Sequence, residues 1–134
     1  MRTQEKPTLS EAAGRSDRLR MQLLLREANE HLANLINAFD GRPSFGVVSL
    51  TVLCECGQAG CRERIELACD EYEELRKLPT HFVLKRGHDE LSDGRLVRQA
   101  QGHIVIEKSG AAGATAVRSD PRRTPGADSV PELV

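Results

Sequence analysis

The segment Cys54-Glu55-Cys56-Gly57-Gln58-Ala59-Gly60-Cys61 places three thiols within eight positions, and its two glycines let the backbone fold so that all three sulfurs can converge. Zinc suits such a set because it accepts Cys and His in a tetrahedron and needs no redox partner, whereas calcium and magnesium call for oxygen ligands. In a straight strand Cys54 and Cys56 would project to one face roughly 7 Å apart, too far for two sulfurs on one ion. A bend is therefore required, and Gly57 is where it is available.

Three local thiols leave one position of the tetrahedron open. His88 is the predicted fourth ligand: it follows Gly87 in a turn after a strand, where an imidazole can reach sideways without disturbing regular structure. Cys69 and His81 are its competitors. The expectation is thus one structural Zn²⁺ on Cys54, Cys56, Cys61 and His88, a closed site of net charge about -1 that Arg62 and Arg64 can offset. The competing account takes the cysteines as small buried hydrophobes near a tight turn. Cys69, ahead of a helix, reads as a packed core thiol.

Composition supports the metal reading. Four cysteines in a chain whose first residues lack the apolar stretch of an export signal are expected to stay reduced. No run reaches the roughly 18 apolar residues needed to span a bilayer, so a cytoplasmic protein without a membrane partner is expected. Hydrophobic residues make up 39% and aromatics only 3%, so the core must come from Leu, Val, Ile and Ala, and a metal staple would supplement it. The net charge of -1 counts against a nucleic-acid binder, because phosphate binding leaves a visible excess of Lys and Arg.

The elements that must carry these residues follow from periodicity. Residues 1–15 show no apolar period and read as a disordered lead-in. Met21, Leu25, Ala28, Leu32, Leu35 and Phe39 then recur at alternating spacings of four and three, which predicts an amphipathic helix over 17–39. Packing on the chain's own body is the favoured use of that spacing, with a coiled-coil seam to a copy of itself as the alternative. Ser16 or Asp17 can cap its start, and Asp40-Gly41 with Pro43 ends it.

A β-branched run over 45–53 predicts a strand with Val48, Leu50 and Val52 on one face, entering Cys54 directly. Arg62 to Leu67 alternates, with Ile65 and Leu67 turned one way, and can return antiparallel with the cysteines at the hairpin tip. Asp70 as N-cap opens a short helix with Tyr72, Leu75 and Leu78 on one face until Pro79. His81 to Leu84 is a brief strand, and Leu96 to Ala100 with His103 to Lys108 a hairpin. From Ser109 the composition turns to Gly, Ala, Ser and Pro. The fold expected is α+β: one domain over 16–108, made of the helix and a zinc-knuckle body over 44–108 with a small, mainly antiparallel sheet, followed by a disordered tail over 109–134 without its own chemistry.

Arg26-Glu27-Ala28-Asn29-Glu30, Cys54-Glu55-Cys56-Gly57 with Cys61, Glu71-Tyr72, Arg76, Pro79, Phe82, Gly87-His88, Val105 with Glu107-Lys108, and Asp120-Pro121-Arg122 together make a recognisable pattern. In these residues the chain resembles a group of small, uncharacterised actinobacterial proteins with no established activity. The resemblance implies that the helix and the cysteine body form one unit. It also implies that Gly87-His88 belongs with the three knot cysteines and that Cys69 does not. The chain departs from the pattern in its extended ends.

Three function classes fit such a chain. The reading favoured is a zinc-stabilised, non-catalytic interaction or regulatory module, meeting a protein partner or a second copy of itself through helix 17–39. A nucleic-acid-binding regulator would use Arg15, Arg18, Arg20 and Arg26 as a basic flank, but the bases of 62–86 are matched by acids there. An enzyme or a thiol redox sensor is the third class. The zinc-deaminase pattern, the P-loop and the His-Glu-x-x-His helix are all absent. Glu55 would serve as a base only if the metal kept a water, and oxidation of zinc thiolates would release the metal.

Overall fold

The computed structural model describes residues 9–40, 49–89 and 94–123. It is an α+β fold of three helices and two small antiparallel sheets: α1 (Leu9–Asp40), β1 (Ser49–Leu53), β2 (Arg64–Ala68), α2 (Cys69–Arg76), β3 (His81–Leu84), β4 (Arg95–Gln99), β5 (Ile104–Glu107) and α3 (Gly110–Arg118). Among the described residues no helix is long and apolar enough to cross a membrane.

Alternation decides the first sheet. β1 pairs antiparallel with β2, with Leu50 opposite Leu67 and Val52 opposite Ile65. These four side chains all point inward and are buried. Val48, expected on the same face, lies outside the described residues. The connection between the two strands is the cysteine segment, at the hairpin tip as its sequence requires. The second sheet has the order β3-β5-β4, so β5 is central and Ile104, Val105 and Ile106 are all buried.

Phe82, Val83 and Leu84 of β3 complete a core shared with Tyr72 and Leu75 of α2 and Ala116 of α3. The helix α2 starts one residue before Asp70, because Glu71 rather than Asp70 supplies the cap: its carboxylate accepts the Ala68 N–H at 3.0 Å. Since the helix closes at Arg76, Leu78 lies past its end and is 51% exposed, not on the inward stripe with Tyr72 and Leu75.

Three further expectations are corrected. Helix α1 begins at Leu9, so residues 9–15 are helix rather than a lead-in; Ala12 and Ala13 are strong helix formers and outweigh the roughly 1 kcal/mol that Gly14 costs. The part of the tail that the structure describes is ordered: α3 occupies Gly110–Arg118 and a turn follows it, while the rest of the expected tail lies outside the described residues. Gly113 is what seats α3, because a Cβ there would stand 2.8 Å from the Lys108 carbonyl oxygen. Arg122 then bonds back to Glu30 at 2.8 Å and to Glu73 at 2.9 Å.

The third correction concerns which face of α1 turns inward. Gln22, Arg26, Asn29, Glu30 and Ala33 are the buried residues, while Met21 is 44%, Leu32 37% and Leu35 60% exposed. Leu25 and Ala28 of the stripe are half-buried and the Phe39 side chain lies outside those described, so the centre of the stripe, at Met21, Leu32 and Leu35, faces away from the body. Leu24, at 54% exposure, widens it on the outside. The polar face turns inward because the body offers it unpaired backbone groups. Arg26 donates to the carbonyls of Pro79 at 2.6 Å and Ala116 at 2.9 Å, with its guanidinium 5.0 Å from the Phe82 ring centroid. Glu30 accepts from the Tyr72 hydroxyl at 2.7 Å.

Candidate metal centre

The chain leaves β1 at Leu53, and Cys54 and Cys56 follow at once. Cys54 still keeps the ladder, donating its N–H to the Glu63 carbonyl at 3.0 Å. Gly57 (φ 74°) and Gly60 (φ 81°) then turn in the left-handed region that favours glycine, and Cys61 N–H closes the turn on the Gln58 carbonyl at 3.1 Å. Gly57 has a second reason to lack a side chain: a Cβ would stand 2.6 Å from the Arg18 carbonyl oxygen and 2.7 Å from Gln22 Cγ. The knuckle is thereby pressed against α1.

His88 arrives from the turn after β3, where Gly87 also has positive φ (88°) and His88 N–H bonds the Lys85 carbonyl at 3.1 Å. Gln58 Nε2 donates to the His88 carbonyl at 3.2 Å and ties the two turns together. His88 Nδ1 lies 3.5 Å from Cys54 Sγ and 3.7 Å from Cys61 Sγ. One donor atom from each of Cys54, Cys56, Cys61 and His88 falls within 4.8 Å of all the others. A tetrahedron with zinc–sulfur bonds of about 2.3 Å has edges near 3.8 Å, which these separations approach. The four residues could therefore form one metal site.

The two residues that competed with His88 for the fourth position lie elsewhere. Cys69 opens α2 and packs against the core, and His81 sits 3.7 Å from Glu107 across the second sheet. Arg62 and Arg64 are exposed.

Burial sets the electrostatics of the sulfurs. It pushes the Cys54 thiol well above its ordinary range and raises the Cys56 thiol, although peptide N–H groups of Lys85 (3.2 Å to Cys54 Sγ) and Gln58 (3.4 Å to Cys56 Sγ) work in the opposite direction. A divalent cation among the four donors would reverse that balance, since coordination holds a thiol deprotonated.

Glu55, between the first two cysteines, is fully buried, and its carboxylate is engaged on every side. Arg76 Nη2 bonds both oxygens at 2.9 and 2.8 Å, Asn29 Nδ2 donates at 2.7 Å, and the Val83 N–H donates at 3.0 Å. Its peptide is held too, with N–H to the Val83 carbonyl at 2.8 Å and the carbonyl receiving Gln22 Nε2 at 3.2 Å. A carboxylate so engaged does not serve as a base at the metal position. It works as the peg that joins the knuckle, α1, α2 and β3.

Sequence reasoning missed this polar core. The signal was present as Gln22, Arg26, Asn29, Ala33 at helical spacing. Arg26, Asn29, Glu30, Glu55, Tyr72, Arg76 and Arg122 are all members of this network. Comparisons with protein-family models, with curated proteins and with solved structures find no match to this chain.

Proposed function

We propose that the chain is a zinc-stapled, non-catalytic interaction module. One Zn²⁺ is held by the thiolates of Cys54, Cys56 and Cys61 and by His88 Nδ1, and the stapled body presents α1 to a protein partner. The observation that carries the reading is the convergence of those four donor atoms within 4.8 Å of one another, from turns that their glycines make possible. Four protein donors fill a tetrahedron and leave no position for a substrate or an activated water, which supports a structural rather than a catalytic metal.

The partner surface is the outer arc of α1. Met21, Leu25, Ala28, Leu32 and Leu35 repeat at the period of a coiled-coil seam, and Met21, Leu24, Leu32 and Leu35 stand in solvent. A seam of that period fits another helix of the same kind, so the partner assigned is α1 of a second copy. The basic residues favour this over nucleic acid: Arg76, Arg122, Lys77 and Arg95 are each paired with a carboxylate.

Elemental mass spectrometry on purified wild type and His88→Ala, with oligomer mass recorded on the same samples, tests the proposal. One zinc per wild-type chain, reduced in the variant, is the expected result. Absence of metal from the wild type overturns it.

A further inference from the structure

The three sulfurs of the knuckle are not equivalent. Cys54 is 3% exposed and its Sγ accepts the Lys85 N–H; Cys56 is 0% exposed and its Sγ accepts the Gln58 N–H. Cys61 is half-buried, and its polar neighbours are His88 Nδ1 at 3.7 Å and the Cys56 side chain rather than a peptide N–H. A hydrogen bond to a thiolate draws on the sulfur lone pair and makes it a poorer nucleophile, while burial denies it a reaction partner. Both effects protect Cys54 and Cys56 more than the half-buried Cys61.

We infer that Cys61 is a modification site, the metal-bound thiolate at which a hydroperoxide reacts, and that Cys56 resolves the product as a disulfide with release of the metal. The inference rests on the zinc reading above and adds its regulation.

The chemistry balances with hydrogen peroxide as the oxidant. The Cys61 thiolate attacks one peroxide oxygen, the O–O bond breaks, hydroxide leaves, and Cys61 becomes a sulfenic acid. The Cys56 thiolate then attacks the Cys61 sulfur, the S–S bond forms and the S–O bond breaks, expelling a second hydroxide. Two thiolates are oxidised by two electrons, one peroxide is reduced, and two protons from solvent convert the two hydroxides to water. Only Cys54 and His88 then remain as donors, too few to hold zinc against water. Cys56 is the resolving thiol because its side chain already meets that of Cys61 and because Gly57 and Gly60 give the intervening turn its freedom.

The full chain carrying Cys69→Ser, which removes the half-buried thiol at the start of α2, is purified reduced and its zinc counted. It is then titrated with hydrogen peroxide. Released zinc is read with a colorimetric chelator, and peptide mass spectrometry locates the cysteine products. The expected result is release of one zinc per Cys56–Cys61 disulfide, with reloading after thiol reduction, and first labelling of Cys61 by substoichiometric N-ethylmaleimide. Zinc-loaded protein that retains its metal under peroxide, or that is modified first at Cys54 or Cys56, overturns this inference and leaves the metal site standing. Protein that holds no zinc before peroxide overturns the metal reading, and this inference with it.

Discussion

Arg76 Nη2 reaches both carboxylate oxygens of Glu55, at 2.9 and 2.8 Å, in a pair of which neither side chain is more than 2% exposed. Glu55 is flanked by two of the four donors, so the pair fixes where the knuckle leaves the first sheet. A buried charge that loses its partner cannot recover its hydration, and breaking such a pair costs about 3–5 kcal/mol. Arg76→Met is therefore expected to lower stability by that amount in urea unfolding. The Glu55→Gln and Arg76→Met double variant should lose less than the sum of the singles, because the orphaned charge is gone. A loss below about 1 kcal/mol in Arg76→Met would mean that the pair holds nothing together.

Gly57 and Gly60 separate two effects that usually come together. Both have positive φ, but a Cβ at Gly60 meets nothing within 4 Å, whereas one at Gly57 meets the Arg18 backbone and Gln22. Gly60→Ala should show conformational strain alone, roughly 1–2 kcal/mol. Gly57→Ala should cost more, since α1 must also move off the knuckle. Thermal melts of the two zinc-loaded variants decide this, and equal losses would argue that the knuckle does not press on the helix.

Local pattern made much of this fold legible. The cysteine hairpin, with Leu50, Val52, Ile65 and Leu67 inward, follows from alternation, and the nearness of His88 to the thiols follows from the glycine turn after β3. The inward face of α1 does not follow in the same way. Periodicity assigns apolar residues to the core, but here the surface under α1 presents peptide groups of Leu53, Glu55, Pro79 and Ala116, whose partners are polar side chains of α1. Leu53 is the clearest case: its N–H bonds Asn29 Oδ1 at 2.8 Å and its carbonyl receives Asn29 Nδ2 at 3.0 Å, so one side chain acts as a neighbouring strand. The helical spacing of Gln22, Arg26, Asn29 and Ala33 marks a second face on α1, but it does not say that the body meets that face with peptide groups. The ordered tail was hidden for a related reason: its Gly and Ala residues look like low complexity, whereas their small size lets α3 sit against the Lys108 backbone.

The Glu30 carboxylate links the tail to the helix and should give stability a pH dependence. Burial raises its pKa, but hydrogen bonds from Arg122 and Tyr72 outweigh burial and hold it below the ordinary carboxylate value. With a folded pKa below the unfolded one, about 4.3, its contribution is complete above that pH and is lost as pH falls through the folded value. The stability difference between wild type and Glu30→Gln should thus be constant near neutrality, at roughly 1–3 kcal/mol, and should shrink on acidification below about pH 4. Urea midpoints of the two proteins compared across that range provide the check, and a difference that does not change with pH would sink the linkage.

The outward stripe of α1 gives a prediction in which fold and assembly respond oppositely. Leu24 and Leu35 are 54% and 60% exposed, and they bury little against their own body. Replacing both by lysine should therefore change the stability of the single chain by no more than about 0.5 kcal/mol per site. In a self-paired coiled coil the same changes bring like charges and desolvated ammonium groups into the seam, which its apolar packing cannot tolerate. Sedimentation velocity over a range of concentrations should show wild type shifting toward a dimer and Leu24→Lys/Leu35→Lys remaining a monomer with zinc still bound. A wild type that stays monomeric at every concentration would remove the second copy as the partner of this face, without touching the metal site, because the two lie on opposite sides of the helix from which Gln22 and Asn29 reach the knuckle.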